Sequence, residues 1–372
     1  MTMIALRAAP APAVASDILE RREHGLVILS PRGTRPFRRI LYVNSYGGAA
    51  FWEEIKAGRV APHHLWGCLE LVRLGYEVAL AEPLPDFYLH RNPLPHDLRL
   101  LRLVRSWLGA DGIVYCGHNV LYWLPLLRAL GAHRARIVSL LYAREPLDFS
   151  RAHHGIVALT GAAAEHARRL APRASVAHLG WGADLEVFPR LPYHPEWFLA
   201  CGRTRRDHAT LCAATHRSRR FTRVVSSHLP RSLAWPDHVQ LMTDQASADV
   251  VSYGELLHEL YASCAASLIV LQRDPAEYTA VGLTNLIEAM AMARPAIVTR
   301  TGALPSEIDV EAVGCGLHVP PDDPAALAEA IEYLATHSER AAAMGAKGRA
   351  WCEQHYTIGR YAADLHRFFE SL

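Results

Sequence analysis

The sequence predicts an α/β protein built from two doubly wound domains, and three observations carry that prediction. The chain has 372 residues, too long for one ordinary core and well suited to two. Apolar runs of β type alternate with helical segments along most of it, which is the rhythm of parallel sheets covered on both faces. That rhythm is interrupted at Pro189, Pro192 and Pro195, a stiff, extended connector.

Taken in order, residues 1–20 are rich in Ala and Pro, show no cleavable secretory pattern and are expected to form a loose tail. The first domain is expected over residues 21–190. Its elements are a strand Ile40–Asn44, a helix His64–Leu74, a strand Val78–Ala81, a helix Leu98–Leu108, and strands Ile113–Cys116, Ile137–Leu141 and Ile156–Thr160. The second domain, residues 191–355, opens with Trp197–Cys201 and continues with Thr222–Ser226, His238–Thr243, Leu268–Leu271 and Ala296–Thr299. After Pro324 the tail is helical by period. Two Rossmann-like domains facing across a cleft are the expected architecture.

Composition excludes several function classes. Apolar residues make up 51% and charged residues 20%, so the chain is globular rather than disordered. A net charge of +2 lacks the basic excess of a dedicated nucleic-acid binder. Seven cysteines occur with no CxxC pair or other ligand spacing, which suits reduced thiols in a cytoplasm better than a disulfide frame or a zinc site. No run of about twenty apolar residues is present, so no membrane span is expected.

The most informative stretch is Val281–Pro320. Gly282 breaks the chain just before Thr284-Asn285-Leu286-Ile287-Glu288-Ala289-Met290, which has helical character. Arg294-Pro295 ends that helix, and Ala296–Thr299 is a buried strand with Thr301-Gly302 at its carboxyl end. Helix amino ends carry free N–H groups and partial positive charge, and open α/β sheets bind ligands beyond the carboxyl ends of their strands. Gly282, Leu283, Thr284, Thr301 and Gly302 therefore frame a site for a phosphate-bearing ligand.

This segment resembles the donor half of retaining glycosyltransferases of the GT-B fold, glycosyltransferase family 4. The resemblance rests on Glu288-Ala289-Met290-Ala291, Arg294–Thr299, Gly302 with Glu307, and Gly316–Pro324, in that order. Upstream, Leu179–Leu185 resembles the N-G-V-D segment that closes the family's first domain, and Cys201–Asp207 resembles its G-R-x-x-x-K segment. The resemblance implies a nucleotide-sugar donor, an acceptor hydroxyl, no metal or other cofactor, and a last helix, residues 356–372, crossing back to the first domain.

Residue by residue, Arg203 and Arg206 take the places of the family's Arg and Lys, where they would neutralise the departing diphosphate. Arg205 fills the second place if the register slips by one, and solvated surface arginines are the bland alternative. Glu288 matches the second acid of the family's E-x7-E motif, which holds the ribose hydroxyls, against the alternative of a surface helix glutamate. The first acid is missing: Ala280 stands there, and Glu277 is out of register. Gly47-Gly48 resembles the first glycine loop, through which backbone at Gly48 would approach the donor phosphates. His118, after Ile113–Cys116, is a candidate to deprotonate or orient the acceptor, with Arg144 and Glu145 as rivals. The segment Asp97–Leu108 spaces Arg99, Arg102 and Arg105 for one helix face; a solvated face is favoured over peripheral contact with an anionic membrane.

Three functions compete: a retaining glycosyltransferase, another GT-B nucleotide-sugar enzyme such as an epimerase, and a catalytically inactive binding protein. A pyridoxal-phosphate phosphorylase is disfavoured, because the only lysines, Lys56 and Lys347, lie outside the donor motifs.

Overall fold

The computed structural model describes residues 16–45, 47–58, 60–83, 93–117, 121–141, 152–202, 204–226, 229–230, 232–242, 256–273, 280–301 and 308–372. They fall into two compact units. The first runs up to Trp181 and takes in Ile358–Leu372, and the second is Gly182–Thr357.

The first unit is built on eight strands: β1 (Ile18–Glu23), β2 (Leu26–Pro31), β3 (Arg38–Val43), β4 (Tyr76–Ala81), β5 (Ile113–Cys116), β6 (Arg136–Leu141), β7 (Gly155–Ala158) and β8 (Ser175–His178). Their order across the sheet is β1-β2-β4-β3-β5-β6-β7-β8. From β4 to β8 all neighbours are parallel. The centre is apolar on both faces, as a parallel sheet covered by helices requires; β3, β4 and β5 bury Leu41, Ala79 and Val114 completely.

The β1–β2 hairpin is antiparallel and was not expected from the sequence. His24 and Gly25 turn it, both with positive φ, the conformation that a tight primed turn demands. Ile18, Leu19 and Glu20, expected in the tail, belong to its first strand.

The second unit holds β9 (Trp197–Cys201), β10 (Thr222–Val225), β11 (Val239–Met242), β12 (Cys264–Ile269), β13 (Ala296–Thr299) and β14 (Gly316–Val319). The order is β11-β10-β9-β12-β13-β14, and every pairing is parallel. The helix Pro324–Thr336 packs Leu327, Ile331 and Leu334 into its core.

The division falls at Trp181–Gly182 rather than in the proline connector, and two buried arginines explain why. Arg349 donates from Nη1 to the Phe188 carbonyl at 2.5 Å, and Arg294 donates from Nη2 to the Pro192 carbonyl at 3.1 Å. These bonds tie the connector to the second unit. The last helix, Ile358–Ser371, returns to the first unit, burying Ile358, Tyr361, Ala362, Leu365, Phe368 and Phe369 at helical spacing. Its Tyr361 hydroxyl meets that of Tyr115 at 2.8 Å, and its His366 Nδ1 meets the Tyr76 hydroxyl at 2.9 Å. Among the described residues no helix is long and apolar enough to cross a membrane.

Candidate donor site

The site in the second unit is assembled where β9, β12 and β13 end. After β9 the chain turns through Gly202, whose φ is +120°. A Cβ at Gly202 would overlap the Arg206 guanidinium, so glycine is needed both for the turn and for the space. The returning loop lies along the end of β12: Asp207 N donates to the Val270 carbonyl and Gln272 N to the Arg205 carbonyl, each at 3.0 Å. Asp207 then caps the helix His208–Ser218 by accepting from Thr210 N at 2.9 Å. Thr299, at the end of β13, accepts from Leu271 N at 3.1 Å and closes the rim.

That loop fixes Arg206. Its Nε donates to the Cys201 carbonyl at 3.1 Å, its Nη1 to the Thr204 carbonyl at 2.8 Å, and its Nη2 to Asn285 Oδ1. Arg205, the alternative by one register, is exposed, with φ +52°. Burial pulls the Arg206 pKa below its ordinary value, and the nearby Cys201 and Tyr261 push it back. A guanidinium is cationic through all of this, so the effect is a partly desolvated positive charge held in one place.

Facing the loop is the helix Leu283–Ala291, entered through Gly282 in the left-handed conformation, φ +87°. Gly282 has no side chain with which to cap its amino end, and Leu283 N already donates to the Ala280 carbonyl at 3.1 Å. Leu283 is buried, while Gly282, Thr284 and Asn285 are half-buried. Asn285 and Glu288 stand three residues apart, on one face of the helix. Glu288 is only 1% exposed, so it is not a surface residue. A buried carboxylate is costly and is retained where its charge is used. The Tyr261 hydroxyl lies 3.4 Å from Glu288 Oε2 and 3.2 Å from Cys201 Sγ. Burial first, then the proximity of Cys201 and Glu288, push the Tyr261 pKa well up, so its proton stays on.

Arg206, Thr284 and Glu288 are thus brought to one end of one sheet, with the half-buried Thr301 just past β13. Arg203, Gly302, Glu307, His118, Arg144, Glu145 and Glu277 lie outside the described residues. Sequence reasoning missed Cys201, Tyr261 and Asn285 as partners. A polar Asn285 inside an otherwise apolar helical run was the available signal.

In the first unit Gly48 opens the helix Gly48–Lys56, but the amides of its first turn are already engaged. Glu82 Oε1, from the segment after β4, accepts from Ala49 N at 2.6 Å and from Ala50 N at 3.0 Å. The arginine stripe is likewise partly spent. Arg99 donates to the Glu82 carbonyl at 2.9 Å and Arg105 to the Ala132 carbonyl at 2.9 Å, which leaves Arg102 as the member held by neither bond.

Residues 204–337 match the family described as glycosyl transferases group 1. The sequence finds no match among curated proteins. Among solved structures, the chain is similar to sucrose-phosphate synthase from Thermosynechococcus elongatus, at 14% identity and TM-score 0.65, over 90% of this chain and 99% of that one. A glycosyltransferase from Rickettsia africae ESF-5 is similar at 14% identity and TM-score 0.63, over 91% and 99%. Anabaena HepE in complex with UDP is similar at 14% identity and TM-score 0.61, over 90% and 100%. The fold is therefore GT-B, and the segment carrying the site is similar to the group 1 glycosyl transferases.

Proposed function

We propose that this chain transfers a sugar from a nucleotide-diphosphate donor to an acceptor hydroxyl, with retention of anomeric configuration. The observation that carries the proposal is the set of Arg206, the glycine-entered helix start at Gly282–Thr284 and the buried Glu288, gathered where β9, β12 and β13 end. That HepE is solved with UDP and with UDP-glucose supports a nucleotide sugar as donor.

In this reading the amino end of the helix receives the diphosphate, because its N–H groups and dipole favour an anion. Arg206 stabilises the charge that grows on the leaving diphosphate as the glycosidic bond breaks. Glu288 accepts hydrogen bonds from the ribose hydroxyls and sets the nucleotide's register. These groups stand in for a divalent cation, so no metal is required. All seven cysteines are free and buried, which supports a reducing, cytoplasmic setting. Membrane contact through Asp97–Leu108 is not part of the proposal, since Arg99 and Arg105 are spent on backbone carbonyls.

One observation favours a second reading, an inactive nucleotide-binding protein: Ala280 stands where the family's first motif acid would contact the donor sugar. Incubation with a panel of UDP, GDP and ADP sugars separates the two. The transferase releases nucleotide from at least one donor and forms a product whose anomeric configuration, read by NMR, matches the donor's. Binding without release would establish the inactive reading.

A further inference from the structure

We propose that Asn285 is the positioning residue that aims Arg206, and that it does so as one link of a directed hydrogen-bond chain running from Arg206 to Glu288. The inference rests on the donor-site reading above and deepens it.

The first argument is the bookkeeping of Arg206. A guanidinium has five N–H groups. The bonds to the Cys201 carbonyl, the Thr204 carbonyl and Asn285 Oδ1 use three, from Nε, Nη1 and Nη2. Each terminal nitrogen keeps one further N–H, which is the pair needed for a bidentate grip on phosphate. Two of the three anchors are carbonyls of the same loop. Asn285 is the anchor that comes from the helix at whose amino end the phosphate would sit.

The second argument is direction. Asn285 Nδ2 lies 3.1 Å from Cys201 Sγ and donates to it. The other amide orientation would set its NH2 group against the Arg206 N–H, donor facing donor. The donor-only guanidinium therefore fixes which way the amide faces, and the thiol takes the NH2 group that is left. Cys201 Sγ and the Tyr261 oxygen lie 3.2 Å apart, a pair in which either can donate; the Tyr261 O–H has Glu288 Oε2 at 3.4 Å and the Asn285 carbonyl at 3.5 Å, and with that proton given to the carboxylate the Cys201 S–H donates to Tyr261. Every donor then points the same way: Arg206 to Asn285, to Cys201, to Tyr261, to Glu288. A cation heads the chain and a carboxylate ends it, the arrangement in which each bond polarises the next. Cys201, Tyr261 and Glu288 are 5%, 0% and 1% exposed, so little water competes with it. The groups that would hold the diphosphate and the ribose are thereby oriented together.

The test is calorimetric titration with UDP, GDP and ADP of the wild type, Arg206→Ala, Asn285→Ala, the double variant, Cys201→Ala and Cys201→Ser. Melting temperature serves as a fold control. Asn285→Ala is expected to lose at least about tenfold in nucleotide affinity, most of what Arg206→Ala loses. The double variant should bind no more weakly than Arg206→Ala alone, because Asn285 acts through Arg206. Cys201→Ser should bind as the wild type does, since a hydroxyl both accepts and donates, whereas Cys201→Ala should weaken binding. If Arg206→Ala weakens binding while Asn285→Ala does not, or if the two losses add, the positioning role is overturned and the donor site stands. If Arg206→Ala changes nothing for any nucleotide, or the wild type binds none of them, the donor-site reading fails first.

Discussion

Among the described helices entered at a glycine, two have amino ends in contrasting conditions. The helix Gly48–Lys56 of the first unit follows Gly47 in an extended conformation, and the Glu82 carboxylate sits on the amides of its second and third residues, Ala49 and Ala50. The helix Leu283–Ala291 of the second unit follows Gly282 in the left-handed conformation, and its first amide, Leu283 N, is held by a neutral backbone carbonyl, that of Ala280, rather than by a carboxylate. Both ends attract anions by the same physics. One has been given an anion by its own chain, at an effective concentration that a free ligand does not match. The difference teaches that a glycine-entered helix marks a place for negative charge, and that only the tertiary structure says whose charge it is. Gly48 accordingly leaves the donor set proposed here, and Gly282 stays in it.

The largest expected effect sharpens this contrast from the second unit. Arg206→Ala should raise the nucleotide dissociation constant by about ten- to a hundredfold, the loss of a charge-assisted contact worth roughly 1.5–3 kcal/mol. Calorimetry reads it directly, and an unchanged constant would remove the difference between the two helix ends.

The next effect is on stability and comes from the first unit. Glu82→Ala should cost about 0.5–2 kcal/mol by stripping a helix cap, seen as a lower denaturation midpoint, while nucleotide affinity stays within about twofold. A large loss of nucleotide affinity in Glu82→Ala would return the first glycine loop to the donor site. Turnover should survive EDTA, with manganese adding nothing; abolition by EDTA with rescue by manganese would mean that Arg206 and the Gly282 end do not suffice for the diphosphate.

The smallest effect concerns pH. Burial lowers the His64 pKa to about 4, from an ordinary 6.5. The folded protein therefore favours neutral His64, and the unfolded chain takes up a proton first as pH falls. Stability from this group is whole above about 6.5 and is lost as pH drops toward 4. His63, His133 and His154 are lowered too, so His64→Phe should reduce the slope of the melting profile over that window without abolishing it, and an unaltered profile would show that His64 does not titrate differently in the two states.

How much of this was legible in the sequence depended on whether the signal was local. Strands β9 and β13 match the expected ranges to the residue, because parallel strands buried on both faces read as unbroken apolar runs. The β1 strand was illegible: four of its six residues, Glu20 to Glu23, are charged, as suits an exposed edge, and only Ile18 is buried. The domain boundary was misplaced because prolines mark a stiff segment without saying which side holds it; Arg294 and Arg349 decide that from about a hundred residues or more away in sequence. In the site, the Gly282–Glu288 spacing was visible within one helix. Glu82 capping a helix from the next strand, and Cys201 and Tyr261 linking Asn285 to Glu288, were not, since they join residues far apart in the chain.

The most direct test sets one carboxylate against the other. Glu288→Gln and Glu82→Gln each keep the side-chain shape and remove one negative charge, and both are titrated with nucleotide by calorimetry beside the wild type, with melting temperature as a fold control. The account predicts that Glu288→Gln weakens binding by about ten- to a hundredfold while Glu82→Gln stays within about twofold. Equal dissociation constants for Glu288→Gln and the wild type, or a loss confined to Glu82→Gln, would contradict it.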